Sequence, residues 1–242
     1  MNGQLISLNV GQPAPLAFRG GTVASAIRKQ PVAGPLPLGP TGLVGDAQAD
    51  LHVHGGPDKA VCVYPAEHLA YWSERLGRRL EPAAFGENFS VTGLLEADVC
   101  LGDVYRVGTA LVQVTQPRQP CYKLATRQGQ PAFALWVQES GRTGYYFRCL
   151  EPGAMQAGDA ITLLERPAPA CTVAEANRLL HHNKYDRPGL ERLLTVAALS
   201  ASLRRTCEER LAGVPDDPAR RLEGLAAVIH RPGGQAATQR DD

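Results

Sequence analysis

The chain has 242 residues, which fits one large domain or one medium domain with a smaller appendage. Its 25 Lys and Arg nearly balance 24 Asp and Glu, which argues against nucleic-acid binding through bulk charge. The 25 Gly and 19 Pro favour turns and short strands over a helical bundle. Because no apolar run approaches a membrane span and no basic segment opens a secretion signal, we expect a cytoplasmic protein that does not enter a membrane.

Residues 1–165 predict short β-strands separated by glycine and proline. Their alternating, β-branched composition disfavours helices, and their spacing suits a closed or half-closed barrel better than a βαβ array. The predicted strands are residues 4–10, 22–29, 60–64, 104–107, 110–115, 145–150 and 160–164. Apolar residues at helical spacing predict two helices, 65–76 and 131–139, that pack on the barrel. The fold class is therefore mostly β, with peripheral helices (α+β).

A second unit is predicted at residues 172–225, after the proline-rich connector 166–170. Thr172 and Glu175 fit a capping box, Pro188 suits a helix start and Ser200 suits an N-cap. Three short helices follow, ending near residues 182, 199 and 211. Such a unit is too small for independent stability, so we expect it to lean on the barrel or on a second subunit. Residues 226–242 are predicted to form a disordered tail.

Cys121 is the cysteine most suited to chemistry. The six cysteines form no C-x-x-C pair, and most lie in strand-like apolar surroundings typical of inert thiols. Two prolines hold the segment before Cys121 extended, and a helix is predicted to follow it. A helix N-terminus with Arg118 and Lys123 nearby lowers a thiol pKa, which favours a nucleophile or a soft metal ligand. The alternative is a buried, unreactive cysteine in a proline-rich corner.

The glycine-rich segment His54-Gly55-Gly56-Pro-Asp-Lys59 is a second candidate. Adjacent glycines permit backbone conformations in which successive amides face one anion, and Lys59 adds a positive charge. The alternative is an ordinary turn in which His54 bonds the backbone. His52 and His54 would share a strand face, but no third zinc ligand is in sight. Asn88, in a Gly-Glu-Asn turn, gives a weaker signal.

The chain resembles the MOSC domain family, named for the C-terminal domain of molybdenum cofactor sulfurases, and most closely its bacterial YiiM branch. The resemblance rests on Gly45-Asp46 with the glycine-rich segment, on Phe85-Gly-Glu-Asn88, and on the three-helix extension. Its most specific part is Gln116-Pro-Arg-x-Pro-Cys121-Tyr-Lys-Leu124. The resemblance covers nearly all of residues 1–225.

The resemblance implies a MOSC-type β-barrel and a molybdenum cofactor whose metal is bound by the Cys121 thiolate. Relatives of this kind reduce N-hydroxylated compounds such as hydroxylaminopurines, hydroxylamines and N-oxides, so detoxification is the implied role. Cys121 and His54 would be the catalytic residues, with His54 as a candidate proton donor. By matching position, the cofactor contacts would be His54, Gly55, Gly56, Lys59, Arg118, Lys123, Asp46 and Asn88.

The chain has no room for the pyridoxal phosphate (PLP) domain of the sulfurases, and its cysteines are not clustered for an iron–sulfur centre. A separate reductase would therefore supply the electrons. The alternative function is a non-catalytic carrier of molybdenum cofactor, or of persulfide sulfur on Cys121; a third is a partner-binding barrel in which Cys121 is unused. The helical extension could form a homodimer, cover the pocket, or receive the electron donor on a basic face.

Overall fold

The computed structural model describes residues 2–51 and 54–224. The strands are β1 Asn2–Val10, β2 Ala14–Phe18, β3 Gly21–Ser25, β4 Gln30–Pro31, β5 Leu36–Gly39, β6 Gly42–Leu43, β7 Val61–Pro65, β8 Phe89–Thr92, β9 Val104–Val107, β10 Ala110–Pro117, β11 Tyr145–Glu151, β12 Gly153–Met155 and β13 Ala160–Glu165. The helices are α1 His68–Leu76, α2 Tyr122–Gln128, α3 Phe133–Ser140, α4 Val173–His181, α5 Arg187–Leu194, α6 Ala201–Leu211 and α7 Ala219–Glu223, with a 3₁₀ turn at Pro57–Lys59.

Seven strands close into a barrel in the order β13-β9-β10-β11-β7-β8-β1, and β1 pairs back onto β13. The β7–β8 pair is parallel, and the other pairs of this ring are antiparallel. Alternation along the strands turns apolar side chains inward, where Leu5, Val112 and Phe147 are fully buried. The expected closed barrel and the mostly β fold class are confirmed.

Helices α1–α3 pack around a second apolar cluster beside the barrel. Trp72 of α1 and Phe133 of α3 lie edge to face, with ring centroids 5.0 Å apart. The buried Trp72 Nε1 donates a 2.7 Å hydrogen bond to the Tyr64 hydroxyl of β7. This cluster supports α2, the helix that begins just after Cys121.

Helices α4–α6 share one continuous apolar cluster with the barrel, through buried residues such as Val173, Leu179 and Leu203. Polar contacts reinforce this packing at the end of β10. Ser200 Oγ donates a 2.5 Å hydrogen bond to Gln116 Oε1, and Asp58 accepts the Ala201 N–H at 2.8 Å. The helical extension therefore leans on the barrel of its own chain.

The structure confirms six of the seven predicted strands and corrects the seventh. The prediction for residues 22–29 is wrong in its second half: β3 ends at Ser25 and residues 26–29 are irregular, because they form part of a pocket wall. The second predicted helix of the extension ends at Leu194 rather than near residue 199. Strands β2, β4, β5, β6, β8 and β12, and helix α7, were not predicted.

Within residues 2–51 and 54–224, no helix is long and apolar enough to cross a membrane. The tail predicted at residues 226–242 lies outside the described residues.

Candidate functional site

Cys121 lies at the point where β10 has ended and α2 has not yet begun. The intervening residues 118–120 contain Pro120, which cannot continue a ladder, and Cys121 itself is extended (φ −131°, ψ 168°) at the N-cap of α2. This position turns the thiol toward the positive end of the helix, where it faces the backbone N–H of Lys123. Cys121 is buried but keeps 9% of its surface exposed.

The surroundings of the Cys121 thiol favour its ionised form. Burial alone raises the pKa of Cys121, but a hydrogen bond and charge from His54, the charge of Arg118 and the Lys123 N–H outweigh it and lower the pKa to about 6. The expectation of an activated thiol therefore has a physical basis in the structure. Its strongest contributor, His54, comes from a segment more than sixty residues away in the sequence.

The thiol lies between two cavities. The smaller one, the barrel pocket, measures about 90 Å³ and is lined by residues 25–27, 29, 47–49, 54, 55, 59, 62, 86, 88, 118, 119, 121, 123 and 146. The larger one, the cleft, measures about 750 Å³ and runs from the thiol to α4, α6 and α7 of the helical extension. His54, Lys59, Cys121 and Lys123 line both cavities, so a ligand in either one is adjacent to the thiol.

Two cations in the barrel pocket form no ion pair with a carboxylate of the described residues. Arg118 is only 7% exposed, and its Nη1 is buried without a hydrogen-bond partner among those residues, although its charge acts on the Cys121 thiol. The Lys123 side chain is 8% exposed and makes no ion pair or hydrogen bond with the described residues. Because burying an uncompensated charge is costly, these two side chains fit a site that is completed by an anionic ligand.

The glycine-rich segment forms one wall of the barrel pocket. Gly55 and Gly56 have positive φ angles of 85° and 80°, and Gly56 directly precedes the 3₁₀ turn. A Cβ on Gly55 would lie 2.6 Å from Gln48 Oε1, so only glycine fits there without displacing that side chain. Burial lowers the pKa of Lys59, although neighbouring Asp58 opposes the shift. His54, Gly55 and Lys59 line the pocket, whereas Gly56 lies outside its lining.

Asp46 and Asn88 support the site from behind. The Asp46 carboxylate accepts hydrogen bonds from Lys29, from the Gly11 N–H at 2.8 Å and from Asn88 Nδ2 at 2.9 Å, and it does not line the barrel pocket. Asn88 lines the pocket, but its Oδ1 accepts the Cys62 N–H at 3.1 Å. Both side chains therefore hold barrel segments in place and have little capacity left for a ligand.

Sequence reasoning missed several residues that the fold brings to the site. Lys29 and Tyr146 line the barrel pocket, and Arg221 of α7 donates hydrogen bonds to the Pro120 carbonyl and, at 2.7 Å, to Gln138 Oε1. Lys29 was predicted to lie in a strand, and Tyr146 follows an ordinary strand alternation. Arg221 lies a hundred residues from Cys121, so no local pattern could have linked the two.

The possible metal ligands at this site suit a metal ion that is already bound by an organic cofactor. Among residues 2–51 and 54–224, no group of three or more His, Cys, Asp or Glu side chains is placed to hold a metal ion. Cys121 offers one soft thiolate, the kind of ligand that molybdenum or another thiophilic metal accepts from a protein. Arg118 and Lys123 lie beside it and form no ion pair with a carboxylate of the described residues, so the site fits a metal bound to an anionic organic cofactor.

Residues 50–162 match the MOSC domain family, and residues 172–213 match the YiiM-like, 3-alpha helix domain. The uncharacterized protein YflK of Bacillus subtilis is 48% identical over 200 residues, covering 83% of this chain and 90% of YflK. YiiM of Escherichia coli is 43% identical over 204 residues, covering 83% of this chain and 91% of YiiM. A Gibberella moniliformis protein named a reductase is 38% identical over 167 residues, covering 66% of this chain and 29% of that protein.

Solved structures show the same architecture. The crystal structure of YiiM from Geobacillus stearothermophilus matches with a TM-score of 0.75 and 41% identity, covering 86% of this chain and 99% of that one. Fold and site together define a closed β-barrel protein with a cysteine-centred pocket and a helical extension. The chain belongs to the MOSC domain family, in the branch that carries a YiiM-like three-helix domain.

Proposed function

We propose that the protein is a molybdenum cofactor-dependent reductase of N-hydroxylated compounds, with hydroxylaminopurines, hydroxylamines and N-oxides as its substrate class and detoxification as its role. Membership in the MOSC family and the reductase name of one relative support a molybdenum-related oxidoreductase. One observation carries the proposal further. An ionisable thiol lies at the junction of a pocket lined by the buried cations Arg118 and Lys123 and a cleft large enough for an organic substrate.

Each side chain at the junction has a task in this proposal. The Cys121 thiolate would hold the molybdenum, and Arg118 and Lys123 would bind the anionic part of the cofactor. His54 donates a hydrogen bond to the thiol and thereby fixes the orientation of the sulfur. When bound, the cofactor would supply the two-electron chemistry that removes oxygen from the substrate.

The reaction consumes protons as well as electrons: R–NH–OH + 2 H⁺ + 2 e⁻ gives R–NH₂ + H₂O. His54 lines the cleft as well as the barrel pocket, so its imidazole can hold a proton on the side where the substrate enters. A separate reductase would deliver the two electrons.

The test compares wild type with Cys121→Ser and Cys149→Ser, made in a host that synthesises molybdenum cofactor. Cys149 lies in β11 and lines neither cavity, so its substitution is a matched control. Molybdenum is measured by mass spectrometry, pterin by fluorescence after oxidation, and turnover of a hydroxylaminopurine with a chemically reduced viologen dye as electron donor. We expect molybdenum, pterin and turnover in wild type and in Cys149→Ser, and loss of molybdenum and turnover in Cys121→Ser.

Two results would contradict this proposal. Full molybdenum content and turnover in folded Cys121→Ser would remove the thiolate from its assigned role. Wild-type protein with no turnover but with an additional 32 Da on Cys121 would favour the alternative, a carrier of persulfide sulfur. Wild type that binds cofactor and releases it readily to other enzymes, again without turnover, would favour a cofactor carrier.

A further inference from the structure

The helical wall of the cleft, which is the part formed by the helical extension, has no task in the proposed reaction. It is formed by the end of α4, one face of α6 and the segment 216–221, and it includes His181, Arg205, Arg210, Arg220 and Arg221. Residues 219–223 of α7 lie beyond the segment that matches the three-helix domain, which ends at residue 213. The helical part of the chain therefore supplies this wall of the cleft.

The charges on this wall are only partly compensated. Asp216 forms 3.0 Å ion pairs with both Arg210 and Lys184. Among the described residues, Arg221 donates hydrogen bonds only to neutral acceptors, although the charges of Cys121 and Asp216 act on it. Arg205 and Arg220 form no ion pair or hydrogen bond with any described residue. Around the whole cleft, the cations are Lys59, Lys123, Arg205, Arg210, Arg220 and Arg221, and the carboxylates are Asp50, Glu209, Asp216 and Asp217. Cationic side chains are therefore in excess next to the site of reaction.

His181 adds an unused polar group to the same wall. It is the last residue of α4, and its Nε2 is buried with no hydrogen-bond partner among the described residues. Burial and the neighbouring charges of Arg221, Arg210 and Lys184 keep the imidazole neutral. A neutral imidazole among cations can donate an N–H to an anion, and this anion would also offset the positive charges around it.

We propose that the side chains of His181, Arg205, Arg220 and Arg221 form a phosphate subsite in the cleft, so that the substrates include N-hydroxylated nucleotides as well as free bases. The substrate part of this inference rests on the proposed function. The cleft of about 750 Å³ has the size of pockets that enclose drug-sized ligands such as a mononucleotide. The base would reach toward Cys121 while the phosphate remains on the helical wall.

The test measures equilibrium binding rather than turnover, with adenosine monophosphate and adenosine as probes on the cofactor-loaded protein. The variants are Arg205→Ala, Arg220→Ala and the double variant, and Arg106→Ala is the control. Arg106 is an exposed arginine on β9 that lines neither cavity. We expect the monophosphate to bind about 10-fold more tightly than adenosine, and the double variant to lose most of that difference, as for charge-assisted phosphate contacts.

Equal binding of the two probes by wild type, or monophosphate binding unchanged in the double variant, would overturn the subsite. A fall in pterin content of the double variant, with monophosphate binding retained, would assign the arginines to the cofactor's own phosphate and would also overturn it. If binding depends on Arg205 and Arg220 but no N-hydroxylated compound is reduced, the subsite stands and the proposed reductase function fails. Inorganic phosphate as a competitor checks that the phosphate group itself is recognised.

Discussion

Cys121 illustrates how a fold can lower the pKa of one of six cysteines. Burial raises the pKa of the other thiols, including Cys62, which lines the same pocket. Cys121 differs because it lies after the end of β10, at the N-cap of α2, where an N–H and two basic side chains from separate segments face one sulfur atom. The proline on its N-terminal side fixes this geometry, which a free thiol inside a strand cannot have.

His181 makes stability depend on pH. Burial is the main cause that lowers its pKa from 6.5 to about 3, so the unfolded chain takes up a proton more readily than the folded one. The stability that this difference provides is complete above pH 6.5 and is lost as the pH falls toward 3. Between pH 7 and pH 5, wild type should lose about 2 kcal/mol of unfolding free energy through this residue. The variant His181→Gln should not show this part of the loss, because glutamine does not take up a proton.

Urea unfolding of wild type and His181→Gln at pH 7, 6 and 5 measures this effect. His182→Gln is the control, because His182 is the adjacent residue and its side chain is exposed. Parallel loss of stability in wild type and His181→Gln over this range would contradict the assignment.

At the scale of elements, the contact between α6 and β10 links the helical extension to the end of β10, just before the segment that carries Cys121. Ser200 Oγ accepts the Leu203 N–H at 3.0 Å and donates to Gln116, five residues before Cys121. Replacing Ser200 by Ala removes the N-cap and one hydrogen bond of a buried amide, so we expect a loss of about 1–3 kcal/mol. Chemical unfolding monitored by circular dichroism measures the loss.

Ser202→Ala is the matched control for this substitution. Ser202 Oγ also bonds Gln116 Oε1, at 2.9 Å, but it does not cap the helix. The Ser202 variant should therefore lose less stability than the Ser200 variant. Equal losses would show that the cap contributes little beyond the bond to Gln116.

The sequence predicted the elements whose signals are local. Ser200 and the apolar spacing after it predicted α6 at nearly its observed bounds, and alternation predicted β9 and β10. The two-residue strands β4 and β6 are too short to show any alternation, and β8 has only four residues and begins directly after the Gly-Glu-Asn turn. Such strands form because a neighbouring strand offers backbone hydrogen bonds. The local sequence pattern does not predict this pairing.

The candidate site was predictable to the extent that its residues share a motif. Arg118, Cys121 and Lys123 belong to one short sequence motif, and the structure places all three around the barrel pocket. For Asp46 the motif gave the location but not the contacts, because its carboxylate turns toward Lys29 and the chain at Gly11. The residues of the helical wall, such as His181 and Arg221, are brought together by the packing of helices and belong to no sequence motif.

At the scale of the molecule, the shared apolar cluster predicts one cooperative unfolding transition. Leu203 of α6 is 1% exposed and belongs to the same cluster as the barrel strands. We expect Leu203→Ala to cost about 2–5 kcal/mol, as for other buried leucines. The far-ultraviolet signal of the helices and the fluorescence of Trp72 and Trp136 should shift to the same new midpoint. Separate midpoints for the two signals would mean that the extension unfolds without the barrel.

Closure of the barrel also fixes the order in which the site is assembled. β1 pairs with β13, with Asn2 opposite Thr162, so the first strand to leave the ribosome lacks this neighbour until most of the chain has been made. The Pro120 carbonyl receives its contact from Arg221 later still. Cys121 is thus synthesised before Tyr146 and the helical extension, which complete its surroundings. Under the proposed function, insertion of the cofactor would therefore follow translation, and the thiol would need protection from oxidation in the interval.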